Sequence, residues 1–195
     1  MSIKKTAIIG MGALGLLYGQ HIQNASGKGS VSFVMDHERY MRNHGVKCLI
    51  NGEVQEFELV DASAAKPVDL IIVATKYNGL KSALATMKNL VNDNTIILSV
   101  MNGISSELII ADHYGDRNLI YCVAIGMDAM RDGNSLQYKN KGKLQIGIVK
   151  PYQEDALERL QEFFSIIDLT YSLEEDIMQA LWGKFLLNVG INQTC

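Results

Sequence analysis

Apolar residues along the chain alternate between two periods. Residues 4–9 (KKTAII) form a short β-branched run that ends in glycine, and from Ala13 to Asn24 the apolar positions recur at helical spacing. Strand, tight turn and helix are expected in that order. Val31 to Met35 is a second apolar run, reached through ASGKGS, so the first fifty residues contain a β-α-β unit. In GVKCLINGEVQEFELV two extended runs flank Asn51-Gly52, which predicts an antiparallel insertion. DLIIVA (Asp69 to Ala74) and TIILSV are near-continuous apolar runs of the kind buried in a parallel sheet, with a helix between them from about Gly79 to Val91. A helix near Ser105 to Tyr114 and the strand NLIYCVAI continue the alternation.

SLQYKN and KLQIGIV then flank Lys141-Gly142 and predict a second hairpin. A helix from about Tyr152 to Phe164 and a short strand, DLTYS, follow. Ser172-Leu173-Glu174-Glu175 has the S-x-x-E pattern of a capping box, which predicts that the last helix starts there. The pattern therefore describes an α/β fold: a doubly wound, mostly parallel sheet with antiparallel hairpin additions over residues 1–171, and a helix over 172–195.

Composition narrows the function. With 48% hydrophobic residues and two prolines, 195 residues can bury a real core. Eighteen basic against 21 acidic residues give a net charge of -3, and no basic cluster follows a phosphate backbone, which argues against nucleic acid as a partner. Cys48, Cys122 and Cys195 are too widely spaced for a C-x-x-C metal site or a disulfide framework, as expected in a reducing cytoplasm. The apolar run near the N-terminus is too short for a signal segment or a membrane span. A cytoplasmic protein without metal or membrane contact is expected.

The candidate chemistry begins in IIGMGALG, where Gly10, Gly12 and Gly15 have G-x-G-x-x-G spacing after a strand and at the opening of a helix. The first glycine permits the turn, the second admits a pyrophosphate and the third lets helix pack on strand; Met11, Ala13 and Leu14 complete the loop. A structural turn alone is the competing explanation. Asp36 stands at the end of the second strand, where it could accept from both hydroxyls of an adenosine ribose, the pattern associated with NAD, or could cap the helix HERYMRNH instead. Beside a 2′-phosphate its charge would cost about 1 kcal/mol per unit-charge pair in water and about 4 at an effective dielectric of 20. NADP is disfavoured on that ground unless Arg39 swings in. Near the C-terminus, in LWGKFLLNVGIN, Lys184, Asn188 and Asn192 recur every four residues on a helix that is otherwise apolar. Burying such groups unpaired is costly, so the stripe should face a cleft, a ligand or a polar partner.

These motifs, together with Lys76 in LIIVATK, Asn102 in VMNG, and MRDG, resemble the ketopantoate reductase family along the whole chain. The resemblance implies an N-terminal Rossmann domain and an all-helical second domain. It also implies an oxidoreductase that reduces a 2-keto acid to a 2-hydroxy acid with a nicotinamide nucleotide, with ketopantoate to pantoate as the leading pair. In such enzymes the lysine matching Lys184 protonates the developing alkoxide, and the asparagines matching Asn188 and Asn192 hold substrate. The matches to Lys76 and Asn102 line the cofactor and substrate cleft. The family commonly carries arginine where Asp36 stands, which suits NADP, so NADP and NAD both remain open. Its members are longer, and their helical domain supplies a glutamate that works with the lysine. On the resemblance, that domain is largely missing after Cys195, and residues 172–195 are its first helix. A chain that binds nucleotide but turns over poorly is expected, as is a homodimer through the uncovered face of Trp182, Phe185, Leu186, Leu187 and Ile191. A non-catalytic nucleotide-binding module, or a related dehydrogenase acting on another keto acid, is the alternative.

Overall fold

The apolar runs that read as strands lie side by side, and the helices between them fall on alternate faces. A computed structural model describes residues 2–193, the last three as helix backbone alone. The first unit comprises β1 (Thr6–Ile9), α1 (Ala13–Ser26) and β2 (Val31–Met35), followed by α2 (His37–Asn43). Three short strands come next, β3 (Cys48–Ile50), β4 (Glu53–Gln55) and β5 (Glu58–Asp61). The alternation resumes with β6 (Leu70–Val73), α3 (Leu80–Met87), β7 (Ile96–Ser99), α4 (Ser106–Tyr114) and β8 (Leu119–Met127). Then come β9 (Met130–Asp132), β10 (Ser135–Gln137), β11 (Lys141–Gly147), α5 (Glu154–Ile166), β12 (Tyr171–Leu173) and α6 (Ile177–Gln193).

Eight strands form one sheet in the order β12-β11-β8-β7-β6-β1-β2-β5. Every neighbouring pair in it is parallel except β8 with β11. The order runs outward from β1 in both directions, to β2 on one side and β6 on the other. That reversal lies at the carboxyl ends of β1 and β6, the place where open α/β sheets take ligands. β1, β6 and β7 are buried along their whole length, as strands covered on both faces must be. One core face holds Leu16, Leu17, Phe33, Leu160 and Phe164, from β2 and the helices α1 and α5. The opposite face packs Ile71, Met87, Tyr121, Ile177 and Leu181 beneath α3, α4 and the start of α6.

Two expectations are corrected. Lys141-Gly142 is not a hairpin turn: β10 belongs to a separate four-stranded sheet, β4-β3-β10-β9, while β11 pairs with β8. Gly142 lies inside β11 at φ +66°, in register opposite Gly126 at φ +74°. A Cβ there would overlap the Ile125 carbonyl oxygen, so this glycine marks a close approach of two backbones rather than a reversal. The small sheet instead joins two hairpins, one turning at Asn51-Gly52 as the sequence predicts and one at Gly133-Asn134. Nor does Ser172 start the last helix. Residues Tyr171–Leu173 pair in parallel with β11, the Ser172 hydroxyl donates to Glu174 Oε1 at 2.9 Å, and Asp176 caps α6 by accepting from the Gln179 amide at 2.9 Å. Sheet pairing overrides the local capping signal because it satisfies more backbone groups at once.

Gly142→Ala is expected to lower the unfolding free energy by about 2 kcal/mol or more, from a strained φ and a backbone overlap together. Urea denaturation followed by circular dichroism would show the loss as a lower midpoint at unchanged slope.

Candidate functional site

The glycine turn is built by contact between two strand ends. Gly10 leaves β1 at φ +112°, and a Cβ on it would lie 2.6 Å from the Ala74 carbonyl oxygen just after β6. Ala74 in turn donates its amide to Ile9 O at 2.9 Å. A Cβ on Gly15 would overlap Gly10 O, so only glycine lets α1 start directly beneath the turn. Gly12 differs: a Cβ there would meet Ala74 O at 3.5 Å, an ordinary contact. Internal packing does not require a glycine at Gly12, so the bare backbone there leaves room for a ligand to approach. The neighbouring Met11, Ala13 and Leu14 are half-buried. Gly12 is the N-cap of α1 without a side-chain cap, and the first turn carries no acidic residue. No carboxylate there neutralises the positive end of the helix dipole, which leaves it for an anion.

The small sheet flanks this turn. Arg131 on β9 donates from Nη1 to the Met11 carbonyl and from Nε to Gly133 O at 2.9 Å. Tyr138 donates its hydroxyl to Gln20 Oε1 at 2.8 Å and so ties the sheet to α1. Between turn and sheet lies a cavity of about 280 Å³ lined by Met11, Lys47, Cys48, Gln55 and Phe57. Another cavity, of about 220 Å³ among Tyr18, His21, Lys141 and Asp168, contains none of the candidate residues.

At the end of β2, Asp36 is the N-cap of α2: Oδ1 accepts from the Arg39 amide at 2.9 Å and Oδ2 lies 3.5 Å from Arg39 Nε. The structure therefore joins Asp36 and Arg39 in one polar pair, partly open to solvent. Beside it His37 Nδ1 lies 2.6 Å from Asp61 Oδ2. The Ser63 amide and hydroxyl, with His37, hold the Asp61 carboxyl down at about 2.

Lys76 and Asn102 stand exposed just after β6 and β7. Thr75 connects their loops to the glycine turn: its methyl would lie 3.1 Å from a Cβ on Gly10, and its hydroxyl donates to Met101 Sδ at 3.6 Å. β8 outruns β7, since the two pair in register only at Leu119 and Ile120. The Leu144 amide points to Thr170 on the β12 side, so the Ala124 carbonyl opposite it faces the gap left by β7. Lys184 fills that gap by donating from Nζ to Ala124 O. Burial holds its ammonium below the ordinary lysine range, with Cys122 acting in the opposite direction. Asn188, one turn on, is half-buried, whereas the Asn192 side chain lies outside the described residues.

The glycine turn, Asp36 with Arg39, Lys76 and Asn102 thus stand just after β1, β2, β6 and β7, and Lys184 reaches β8 at Ala124. Two features were not legible beforehand. Arg131 reaches the glycine turn from 120 positions away, a contact that no local pattern encodes. The buried pair Ser106 and Glu107 reads in the sequence as an ordinary polar helix start. Among the described residues, no helix is long and apolar enough to cross a membrane and no cluster of His, Cys, Asp or Glu could hold a metal ion.

Comparison with known proteins gives a consistent result. Residues 6–151 match the family described as ketopantoate reductase PanE/ApbA. The 2-dehydropantoate 2-reductase of Streptococcus pyogenes serotype M6 is 23% identical over 195 residues, covering 96% of this chain and 62% of the relative. Among solved structures, 2-dehydropantoate 2-reductase from Geobacter metallireducens is 25% identical with a TM-score of 0.81, over 98% of this chain and 64% of that one. A D-mandelate dehydrogenase in complex with NADH shares the fold at a TM-score of 0.83 and 22% identity, over 98% of this chain and 62% of that one. The chain spans a little over three-fifths of the length of the curated relatives it matches.

The two helix-start glycines should separate experimentally. Gly15→Ala is expected to lower the thermal midpoint by several degrees, because the new methyl overlaps backbone. Gly12→Ala should leave it within about two degrees, since the added methyl makes only an ordinary contact. Differential scanning calorimetry of both variants checks the contrast.

Proposed function

The chain belongs to the ketopantoate reductase PanE/ApbA family, and from that premise we propose that it carries the nucleotide-binding part of an oxidoreductase that reduces a 2-keto acid to a 2-hydroxy acid. NADH or NADPH is the reductant, and ketopantoate to pantoate is the leading substrate pair. The α/β sheet through β12 forms the nucleotide-binding domain in this reading, and α6 beyond it is the first helix of a substrate domain.

Lys184 is the observation that carries the proposal. Its ammonium is half-buried at the carboxyl edge of the sheet and spends one donor on Ala124 O. Two donors remain for a substrate oxygen. The bound nicotinamide supplies hydride to the keto carbon. As charge builds on the carbonyl oxygen, the ammonium stabilises it and passes over a proton, help worth about 10² to 10⁴ in rate. A lysine acidified by burial is the better donor. Asn102, Asn188 and Asn192 orient the keto acid, and Lys76 and Asn102 border the nicotinamide. The pyrophosphate rests on the Gly10 to Gly15 turn, which the shape of that turn supports. Asp36 receives the ribose and favours NAD; Arg39, already in contact with it, is the group that would meet the 2′-phosphate of NADP.

Titration of the chain with NADH and NADPH, followed by nucleotide fluorescence, should show saturable binding that Gly12→Ala weakens at least about tenfold, roughly 1.4 kcal/mol. Binding of neither nucleotide would refute the reading. Nucleotide oxidation on adding ketopantoate, within a panel of 2-keto acids, tests the reaction, and Lys184→Met should cut any rate by about 10² or more. The pH profile has a defined sign. The ammonium is the active form, so kcat/KM should fall as pH rises through its lowered pKa, earlier than for an exposed lysine.

The outer face of α6 invites self-association. Leu186 and Leu187 are 63% and 60% exposed and Trp182 is 47% exposed, while Ile177 and Leu181 on the inner face are buried. Trp182 packs edge-on against Phe185 at 5.9 Å between ring centroids. Such a face commonly finds a partner. Light scattering is expected to show a dimer that Leu186→Glu dissociates, and a clean monomer at high concentration would refute it.

A further inference from the structure

We infer that Glu107 is a positioning residue, a buried carboxyl that terminates a chain of hydrogen bonds fixing the Met101 to Gly103 turn, and so Asn102, against the nicotinamide half of a bound dinucleotide. The inference rests on the dinucleotide reading above and extends it to a residue that touches neither nucleotide nor substrate.

Glu107 lies in the first turn of α4, is 1% exposed, and forms no ion pair with a described residue. Its Oε2 accepts from the Ser106 hydroxyl at 2.7 Å. Ser106 Oγ lies 2.9 Å from Ser99 Oγ, at the end of β7, and the Met101 amide donates to Ser99 Oγ at 3.4 Å. With Glu107 ionised, the direction of the chain is fixed. Each hydroxyl has one proton, and that of Ser106 goes to the carboxyl, so Ser99 must donate to Ser106. The Ser99 lone pairs are then free for the Met101 amide. Every donor points the same way, and Glu107 is the member that accepts without donating. Asn102 follows directly, and Gly103 reverses the chain at φ +110°.

A structural filler would not be built this way. Glu107 Oε1 is buried without a hydrogen-bonding partner among the described residues. Burial raises the carboxyl's pKa, against the pull of the Ser106 hydroxyl and the backbone at Glu107 and Cys122. An apolar side chain of similar size would avoid that cost. An acid serving the α4 dipole could do so from the surface, with both oxygens in water. Beyond its backbone contacts at Glu107 and Cys122, this carboxyl adds an end acceptor that orders both serines and, through them, the amide preceding Asn102. Without it the Ser106 proton turns to Ser99 Oγ, which then divides its lone pairs between Ser106 and the Met101 amide, and the turn is held less firmly to β7.

The test compares NADH with ADP-ribose, which lacks the nicotinamide, by isothermal titration calorimetry on the full chain. If the parent prefers NADPH, that nucleotide is compared with 2′-phospho-ADP-ribose. The parent should bind the dinucleotide more tightly than its truncated analogue. Glu107→Leu, which removes the acceptor but keeps an apolar volume, should weaken the dinucleotide about fivefold and leave the analogue within about twofold, the scale of one hydrogen bond. Ser99→Ala should do the same, whereas Glu107→Gln, whose amide oxygen can still accept, should stay near the parent. In an Asn102→Ala background, Glu107→Leu should have no further effect. Equal weakening of both ligands, no weakening of either, or an additive effect with Asn102→Ala would overturn the inference and leave the dinucleotide reading standing. A parent that binds neither ligand overturns the reading itself, and the inference with it.

Discussion

The site depends on how closely the end of β1 approaches the end of β6. Gly10 passes so near Ala74 O that no side chain fits between them, and the Ala74 amide returns a hydrogen bond to Ile9. This contact lies at the point where the strand order reverses, so the two strands send their chains to opposite faces. Backbone of both strand ends meets here, close beside the start of α1. Thr75 carries the same contact sideways to Met101, and through it to the loop that bears Asn102.

A second constraint comes from unequal strand lengths. β8 is nine residues long and β7 four, so part of one edge of β8 has no neighbouring strand. Backbone groups left this way must find partners. Lys184 serves Ala124 O from above, and α4 brings Ser106 and Glu107 against the end of β7. One mismatch in the sheet thus makes room for both a half-buried ammonium and a buried carboxyl. Neither group could be accommodated along a fully paired strand without breaking the ladder.

Much of this was legible in the sequence, for identifiable reasons. Runs such as LIIV and IIL are apolar at every position because both faces of their strands are covered, and the Gly15 contact with Gly10 O that helps set the glycine spacing of the first turn is local. The Asn51-Gly52 hairpin was readable because its conformation is local, with positive φ at both residues. Lys141-Gly142 misled because a glycine required by a neighbouring backbone looks the same as one required by a turn. Ser172 misled because its capping pattern competes with pairing to a strand some 27 residues earlier. Asp36 shows a different limit: a carboxylate that caps a helix and one that meets a ribose occupy the same place in the sequence, and one oxygen of Asp36 capping α2 leaves the ribose role open.

The small sheet has a consequence for how this protein holds together. Its two hairpins come from distant parts of the chain, and the bond from the Tyr138 amide to Asn51 Oδ1 spans 87 positions. A lone hairpin of three-residue strands is not stable in water, so each hairpin needs the other, and both need the strands between them to be in place. The wall beside the glycine turn therefore depends on contacts between distant parts of the chain, sealed into the core by Cys48, Ile50 and Leu136. Local melting confined to β3, β4, β9 and β10 would release that wall, and the Arg131 contact with it, while leaving the contact between β1 and β6 that forms the turn in place.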